Sequence, residues 1–148
     1  MIKFVGEHRG KVDDKGRLIF PSPFKSLLPV GESQKFIVKK SLFTDSLDLF
    51  TYEEWVKESE QVRSRLNTFN KEHNLFWREY MRDRAEIIPD GKLGRITIPK
   101  HLLERIGVIK EVVFFGNDYK IELWSKEAFD ASPISEEQFV SLAEKVLG

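Results

Sequence analysis

Two short stretches of the chain each place a lysine and an arginine in front of a similar apolar run. Lys15 and Arg17 precede three strand-forming residues and a proline, and Lys92 and Arg95 precede another such run that also ends in proline. Arginine can donate two N–H groups side by side to a phosphate, or to O6 and N7 of guanine. Lysine adds a point charge that suits a phosphate. These residues therefore predict the binding of a polyanion.

The residues around the first pair favour a tight turn between two strands. Asp13 can accept backbone N–H hydrogen bonds, and Gly16 can adopt a positive φ without a Cβ clash. Arg17 would then be the first residue of the returning strand. Gly94 precedes the second arginine in the same way. We therefore expect two basic hairpin tips, each narrow enough to enter a major groove.

The charge distribution is more informative than the total. The chain of 148 residues has 24 basic and 24 acidic side chains, so its formal net charge is zero, which argues against nucleic-acid binding through overall charge alone. The bases concentrate around the two tips: residues 1–25 hold six bases against three acids, and residues 82–105 hold six against four. The remainder of the chain is acidic, so the tips are its basic part.

Composition also restricts the compartment. The chain has no cysteine, which excludes disulfides, cysteine metal sites and a thiol nucleophile, and which fits the cytosol. No apolar run reaches the roughly 18 residues of a membrane span, and residues 1–10 lack the apolar segment of a secretion signal. We predict a cytoplasmic protein without a membrane partner.

Other reactive side chains lack the spacing that chemistry requires. The histidines do not form a metal-binding motif, and the acidic pairs Asp13-Asp14 and Asp45/Asp48 have no nucleophile or opposed partner that would support hydrolysis. No phosphate-binding glycine loop or nucleophile elbow occurs. We predict no enzyme, no cofactor, no metal and no small-molecule substrate.

The order of elements repeats along the chain. Residues Gly16–Pro21 match Gly94–Pro99, and Leu49–Trp55 match Leu123–Phe129. Each half is too small to bury its own apolar face well, so we expect the halves to share one core about a pseudo-two-fold axis. The predicted units are a first repeat, a connecting helix, a second repeat and a C-terminal helix, over residues 1–66, 67–83, 84–130 and 131–148.

Capping residues predict where helices begin. Thr51 and Glu54 form a capping-box pattern, and Ser125 and Ser135 precede two later helices. The connecting helix carries aromatic residues at helical spacing, which favours a core or subunit-interface role over base stacking; these are Phe69, Phe76, Trp77 and Tyr80. A turn is predicted at residues 116–118.

Three motifs together carry a family resemblance. They are Asp13–Pro21, Gly94–Pro99 and Ile121–Ser125, and with them the chain resembles MraZ from Met1 to about Phe129. The resemblance implies a bacterial transcriptional regulator associated with the division and cell wall gene cluster. It also implies an α+β fold in which two AbrB-like swapped-hairpin half-barrels pair with packed helices.

The resemblance further implies partners and site residues. It implies a homo-oligomeric ring, an octamer or dodecamer, that binds direct repeats in promoter DNA at the nucleoid. The DNA-reading signature of the family, Asp-x-x-x-Arg, maps onto Asp13 and Arg17. In the second copy Arg95 matches, but Gly91 stands at the acidic position and Asp90 lies one residue further back. Asp13 could cap its turn, orient Arg17, or do both.

Two other classes of function stay open at this stage. One is an oligomeric scaffold in which the basic tips make only subunit contacts, and the other is a small hydrolase. Substitution of the two arginines separates the first from a DNA-binding regulator, because a scaffold would change its mass whereas a regulator would stay assembled and lose DNA binding.

Overall fold

The computed structural model describes residues 2–29, 34–90 and 94–148. Lys92, a predicted DNA contact, lies outside the described residues. Within these ranges the strands are β1 (Phe4–Lys11), β2 (Arg17–Ile19), β3 (Phe36–Lys40), β4 (Ser46–Thr51), β5 (Ala85–Ile87), β6 (Arg95–Thr97), β7 (Glu111–Asp118) and β8 (Lys120–Ser125). The helices are α1 (Ser22–Lys25), α2 (Tyr52–Ser64), α3 (Lys71–Met81), α4 (Lys100–Arg105), α5 (Lys126–Asp130) and α6 (Glu136–Leu147).

The strands form two antiparallel sheets. Six of them pair in the order β1-β7-β8-β4-β3-β5, and β2 pairs with β6 in a separate two-stranded ribbon. The prediction of a mixed α+β fold is confirmed. The strands of the two basic turns diverge beyond each turn, because β1 pairs with β7 while β2 crosses over to β6. The two strands of each predicted hairpin tip therefore pair with other strands, and the pairing of β2 with β6 joins the two tips in one ribbon.

An aromatic cluster holds the ribbon on the large sheet. Phe20 follows β2 directly, and its ring centroid lies 5.4 Å from that of Phe36, 6.3 Å from Phe114 and 6.4 Å from Phe24. All four side chains are buried. Burying one such side chain contributes about 1.5–3 kcal/mol, so the ribbon has a firmly packed base.

The helices begin where the capping residues predict. The hydroxyl of Thr51 accepts the backbone N–H of Glu54 at 3.2 Å, and that of Ser125 accepts the N–H of Ala128 at 3.1 Å. Ser135 forms a complete capping box at the start of α6. Across the ranges that the structure describes, no helix has both the length and the apolar character needed to cross a membrane.

The turn predicted at residues 116–118 is wrong. β7 continues to Asp118, and the chain reverses there with a φ of 63°. Gly116 is needed for another reason: a Cβ at this position would lie 2.6 Å from the backbone nitrogen of Val5 on the neighbouring strand. The glycine therefore permits the close approach of β1 and β7 rather than a turn.

Candidate nucleic-acid interface

The ribbon places the two arginines on one exposed face. In its register Arg17 stands opposite Thr97, and Arg95 stands opposite Ile19. Successive side chains of a strand point to opposite faces, and the intervening residues of both strands are buried in the core. Diagonal neighbours in such a pair lie about 7–8 Å apart. Two residues from distant parts of the sequence thus form one cationic surface.

The first turn is built on a single carboxylate. Oδ1 of Asp13 accepts the backbone N–H groups of Lys15 and Arg17, both at 2.9 Å. Oδ2 accepts Nε–H of Arg17 at 2.6 Å. Asp13 therefore caps the turn and orients the arginine, so both alternatives hold. Because this bond uses Nε, the terminal nitrogens of the guanidinium remain available to a ligand.

Both turns depend on a glycine next to the arginine. Gly16 has a φ of 79° and Gly94 a φ of 62°. A Cβ on Gly16 would lie 2.5 Å from the carbonyl oxygen of Ile98, so a larger residue would push the ribbon strands apart. The carbonyl of Gly16 accepts the N–H of Ile98, and that of Gly94 accepts the N–H of Phe20. The two turns are thus fixed to the ribbon by equivalent bonds.

Asp90 occupies the place in the second turn that Asp13 has in the first. Its backbone N–H donates to the carbonyl of Arg95 at 2.6 Å, and its own carbonyl accepts the N–H of Gly94 at 2.9 Å. The side chains meet less closely, because Nη2 of Arg95 lies 3.4 Å from Oδ2 of Asp90. Arg95 is therefore held more loosely by its carboxylate than Arg17 is.

The pKa of Asp13 reports on the hydrogen bonds of the first turn. It is lowered, first by the backbone N–H of Arg17 and then by the guanidinium of Arg17 and the N–H of Lys15. A depressed pKa stabilises the folded state above the pKa of the unfolded chain. That stabilisation is lost as the pH falls through the lower pKa of the folded state. We expect an NMR titration of the side-chain carboxyl to give a midpoint below the ordinary aspartate value.

The Arg17→Ala variant provides a matched control for this titration. It removes the guanidinium but keeps the backbone N–H, which is the largest contribution to the shift. The midpoint of Asp13 should therefore rise only part of the way toward the ordinary value. An unshifted midpoint in the unmodified protein would contradict the hydrogen-bonded turn.

Two further lysines border the ribbon, and neither was predicted as a DNA contact, although Lys11 is one of the six bases counted around the first tip. Lys11 and Lys110 line one concave surface together with Asp13, Arg17, Ile19 and Arg95. The carbonyl of Lys110 accepts the N–H of Val12 at 2.8 Å, which brings this lysine to the base of the first turn. Only the pairing of β1 with β7 places them together, so local spacing gave no indication. Lys15 is exposed at the turn itself.

None of the three histidines lines the surfaces around Arg17 and Arg95 among the described residues. His8 packs edge-on against Phe24, His73 accepts the N–H of Asn67, and His101 lies 3.8 Å from Asp83. The aromatic residues of α3 do not line the surfaces around Arg17 and Arg95 among the described residues. Within the same ranges, no group of three or more potential metal ligands occurs.

Comparison with known proteins gives a consistent result. A family model described as "MraZ protein, putative antitoxin-like" matches residues 82–145. A protein of Bacteroides fragilis named transcriptional regulator MraZ is 37% identical over 147 residues, covering 99% of this chain and 92% of the relative. Relatives of the same name in Bacteroides thetaiotaomicron and Flavobacterium psychrophilum are 35% and 36% identical, and the alignments cover 94% of each.

Proposed function

This chain belongs to the MraZ family, and from that membership we propose that it is a sequence-specific DNA-binding transcriptional regulator. Its targets are direct repeats in the promoter of the division and cell wall gene cluster, and it acts in the cytoplasm at the nucleoid. The names of its relatives, transcriptional regulator MraZ, support this role.

The observation that carries the proposal is the shared exposed face of Arg17 and Arg95. The major groove of DNA, about 12 Å wide, admits a two-stranded β-ribbon. A ribbon lying in it would bring both guanidinium groups to base edges or phosphates. Lys11, Lys15 and Lys110 stand beside them as phosphate contacts, and Lys92 is assigned the same role from its motif.

The order of the strands supports the proposed two-fold arrangement. When β1, β2, β3 and β4 are exchanged with β5, β6, β7 and β8, the order of the large sheet reads as its own reverse, and the ribbon maps onto itself. Two AbrB-like swapped-hairpin halves would produce this order. In this arrangement residues 1–66 and 84–130 form the halves, residues 67–83 connect them, and residues 131–148 add the terminal helix.

Self-assembly supplies the affinity that one ribbon lacks. A single ribbon neutralises few phosphates, whereas linked copies raise the effective concentration of each contact. Exposed apolar side chains on α3 and α6 are suited to contacts with a second copy; they are Leu75, Phe76, Phe139, Leu142 and Val146. The proposed assembly is a homo-oligomeric ring, an octamer or dodecamer.

A titration with labelled DNA tests the proposal. The probe is a promoter fragment that carries short direct repeats, and the control is the same fragment with the repeats scrambled. We expect tighter binding to the repeats at both of two salt concentrations, with a loss of affinity as salt rises. Equal binding to the two fragments would contradict sequence specificity.

A further inference from the structure

The exposed face of the ribbon carries an uncharged side chain beside its arginines. Ile19 is 72% exposed, although Leu18 before it is only 2% exposed. An isolated exposed isoleucine is common and has no meaning by itself. This one stands directly opposite Arg95 in the ribbon register. Cβ atoms of residues opposite each other lie about 4.5–5.5 Å apart, so Ile19 and Arg95 would meet neighbouring features of one ligand.

The charges around Ile19 indicate what covers it. Ile19 lines one concave surface with Lys11, Arg95 and Lys110, and the carboxylate on this surface, that of Asp13, already accepts a hydrogen bond from Arg17. An apolar protein partner would have to desolvate these cations. A polyanion would pair with them instead. The part of this polyanion that touches Ile19 must then be an apolar group.

We propose that Ile19 contacts the 5-methyl group of a thymine next to the base read by Arg95. This methyl group is the apolar feature that base edges present in the major groove. Successive bases on one strand rise by about 3.4 Å, which is compatible with one base for each of two facing side chains. The inference rests on the proposed function and names the base class that this part of the ribbon selects.

The second half of the ribbon offers an internal comparison. Thr97 stands opposite Arg17, as Ile19 stands opposite Arg95. Threonine presents a smaller apolar surface and a hydroxyl group that can hydrogen-bond to other base edges. The preference for thymine should therefore be stronger at the base next to the one that Arg95 contacts than at the base next to the one that Arg17 contacts.

Replacement of thymine by deoxyuridine provides a test that leaves the protein unchanged. Duplexes selected by the protein from a random pool are resynthesised with deoxyuridine at one thymine position at a time, which removes only the methyl group. We expect that replacement at one thymine position weakens binding. The affinity should fall by about three- to fivefold for each ribbon that contacts such a position. The Ile19→Ala variant should bind the thymine duplex more weakly and lose the difference between thymine and deoxyuridine.

Each other outcome would overturn the inference. Arginine-dependent binding that ignores deoxyuridine at every position, or a selected sequence without thymine, would reject the role of Ile19 and leave the proposed function standing. A methyl effect of unchanged size in Ile19→Ala would assign the contact to another residue. Failure to select any sequence would reject both proposals. Circular dichroism checks that the variant is folded, as expected for a change at an exposed position.

Discussion

Arg17→Ala should weaken binding to the repeat-bearing duplex by at least about tenfold. A well-placed bidentate arginine contributes about 1–3 kcal/mol to base discrimination, and its loss is repeated in every copy of an assembly. Fluorescence anisotropy with the repeat and scrambled duplexes measures the change. We expect most of the loss on the repeats, so that the ratio between the two affinities also falls.

Three matched variants refine this prediction. Arg17→Lys keeps the charge but not the fork of N–H donors, so it should recover salt-dependent binding without the preference for the repeats. Arg95→Ala should also weaken binding, but less, because Asp90 holds this arginine more loosely in the free protein. Arg63→Ala removes a positive charge from α2 and should leave the affinity nearly unchanged.

The mass of the assembly distinguishes the regulator from a scaffold. Light scattering should give the same mass for the unmodified protein and for both alanine variants at the ribbon. A smaller mass in Arg17→Ala or Arg95→Ala would show that the ribbon makes subunit contacts. Unchanged DNA binding in both variants would contradict the interface proposed here.

The sequence predicted the local parts of this interface and not their assembly. Asp13, Gly16 and Arg17 specify their turn through bonds between near neighbours, and these bonds form as predicted. The pairing of β2 with β6 joins distant segments, so no local periodicity describes it. Only this pairing brings Arg17 and Ile19 to the face that holds Arg95.

β4 is buried on both faces, although its sequence alternates between apolar and polar residues. Leu47-Asp48-Leu49 alternates in a way that is typical of a strand with one face in water, yet every residue of β4 is buried. α2 covers the second face: Glu58 on this helix lies 3.1 Å from Lys39 on β3. The polar residues of this alternating pattern therefore lie on a buried face of β4 and not on a solvent-exposed face.

That buried face carries charges across three neighbouring strands. The register places Lys39 opposite Asp48 and Asp48 opposite Glu122. Oδ1 of Asp48 lies 3.2 Å from Nζ of Lys120, and Asp48 is only 3% exposed. Burial raises the pKa of the Asp48 carboxyl and lowers the pKa of the Lys39 ammonium, while the opposite charges nearby oppose both shifts. The buried charges compensate one another only while each partner is present.

Asp48→Ala should therefore reduce the free energy of unfolding by about 3–5 kcal/mol. Removing one partner of a buried ion pair leaves the other charge desolvated and poorly compensated. Here Lys120 would lose the carboxylate 3.2 Å away and keep only Glu122, at 3.8 Å, while Lys39 would keep Glu58. Urea denaturation followed by circular dichroism measures the loss. Asp45→Ala is the matched control, because Asp45 is exposed in the preceding turn and its replacement should change stability by less than about 0.5 kcal/mol.

Two further measurements separate lost charge pairing from lost packing. The double variant Asp48→Leu with Lys120→Met replaces the ion pair by apolar groups and should recover most of the stability. In the unmodified protein the folded-state pKa of Asp48 lies above that of the unfolded chain, so its stability relative to Asp48→Asn should rise as the pH falls through that window. An equal loss in the double variant, or no pH dependence of this difference, would mean that Asp48 contributes mainly through its shape.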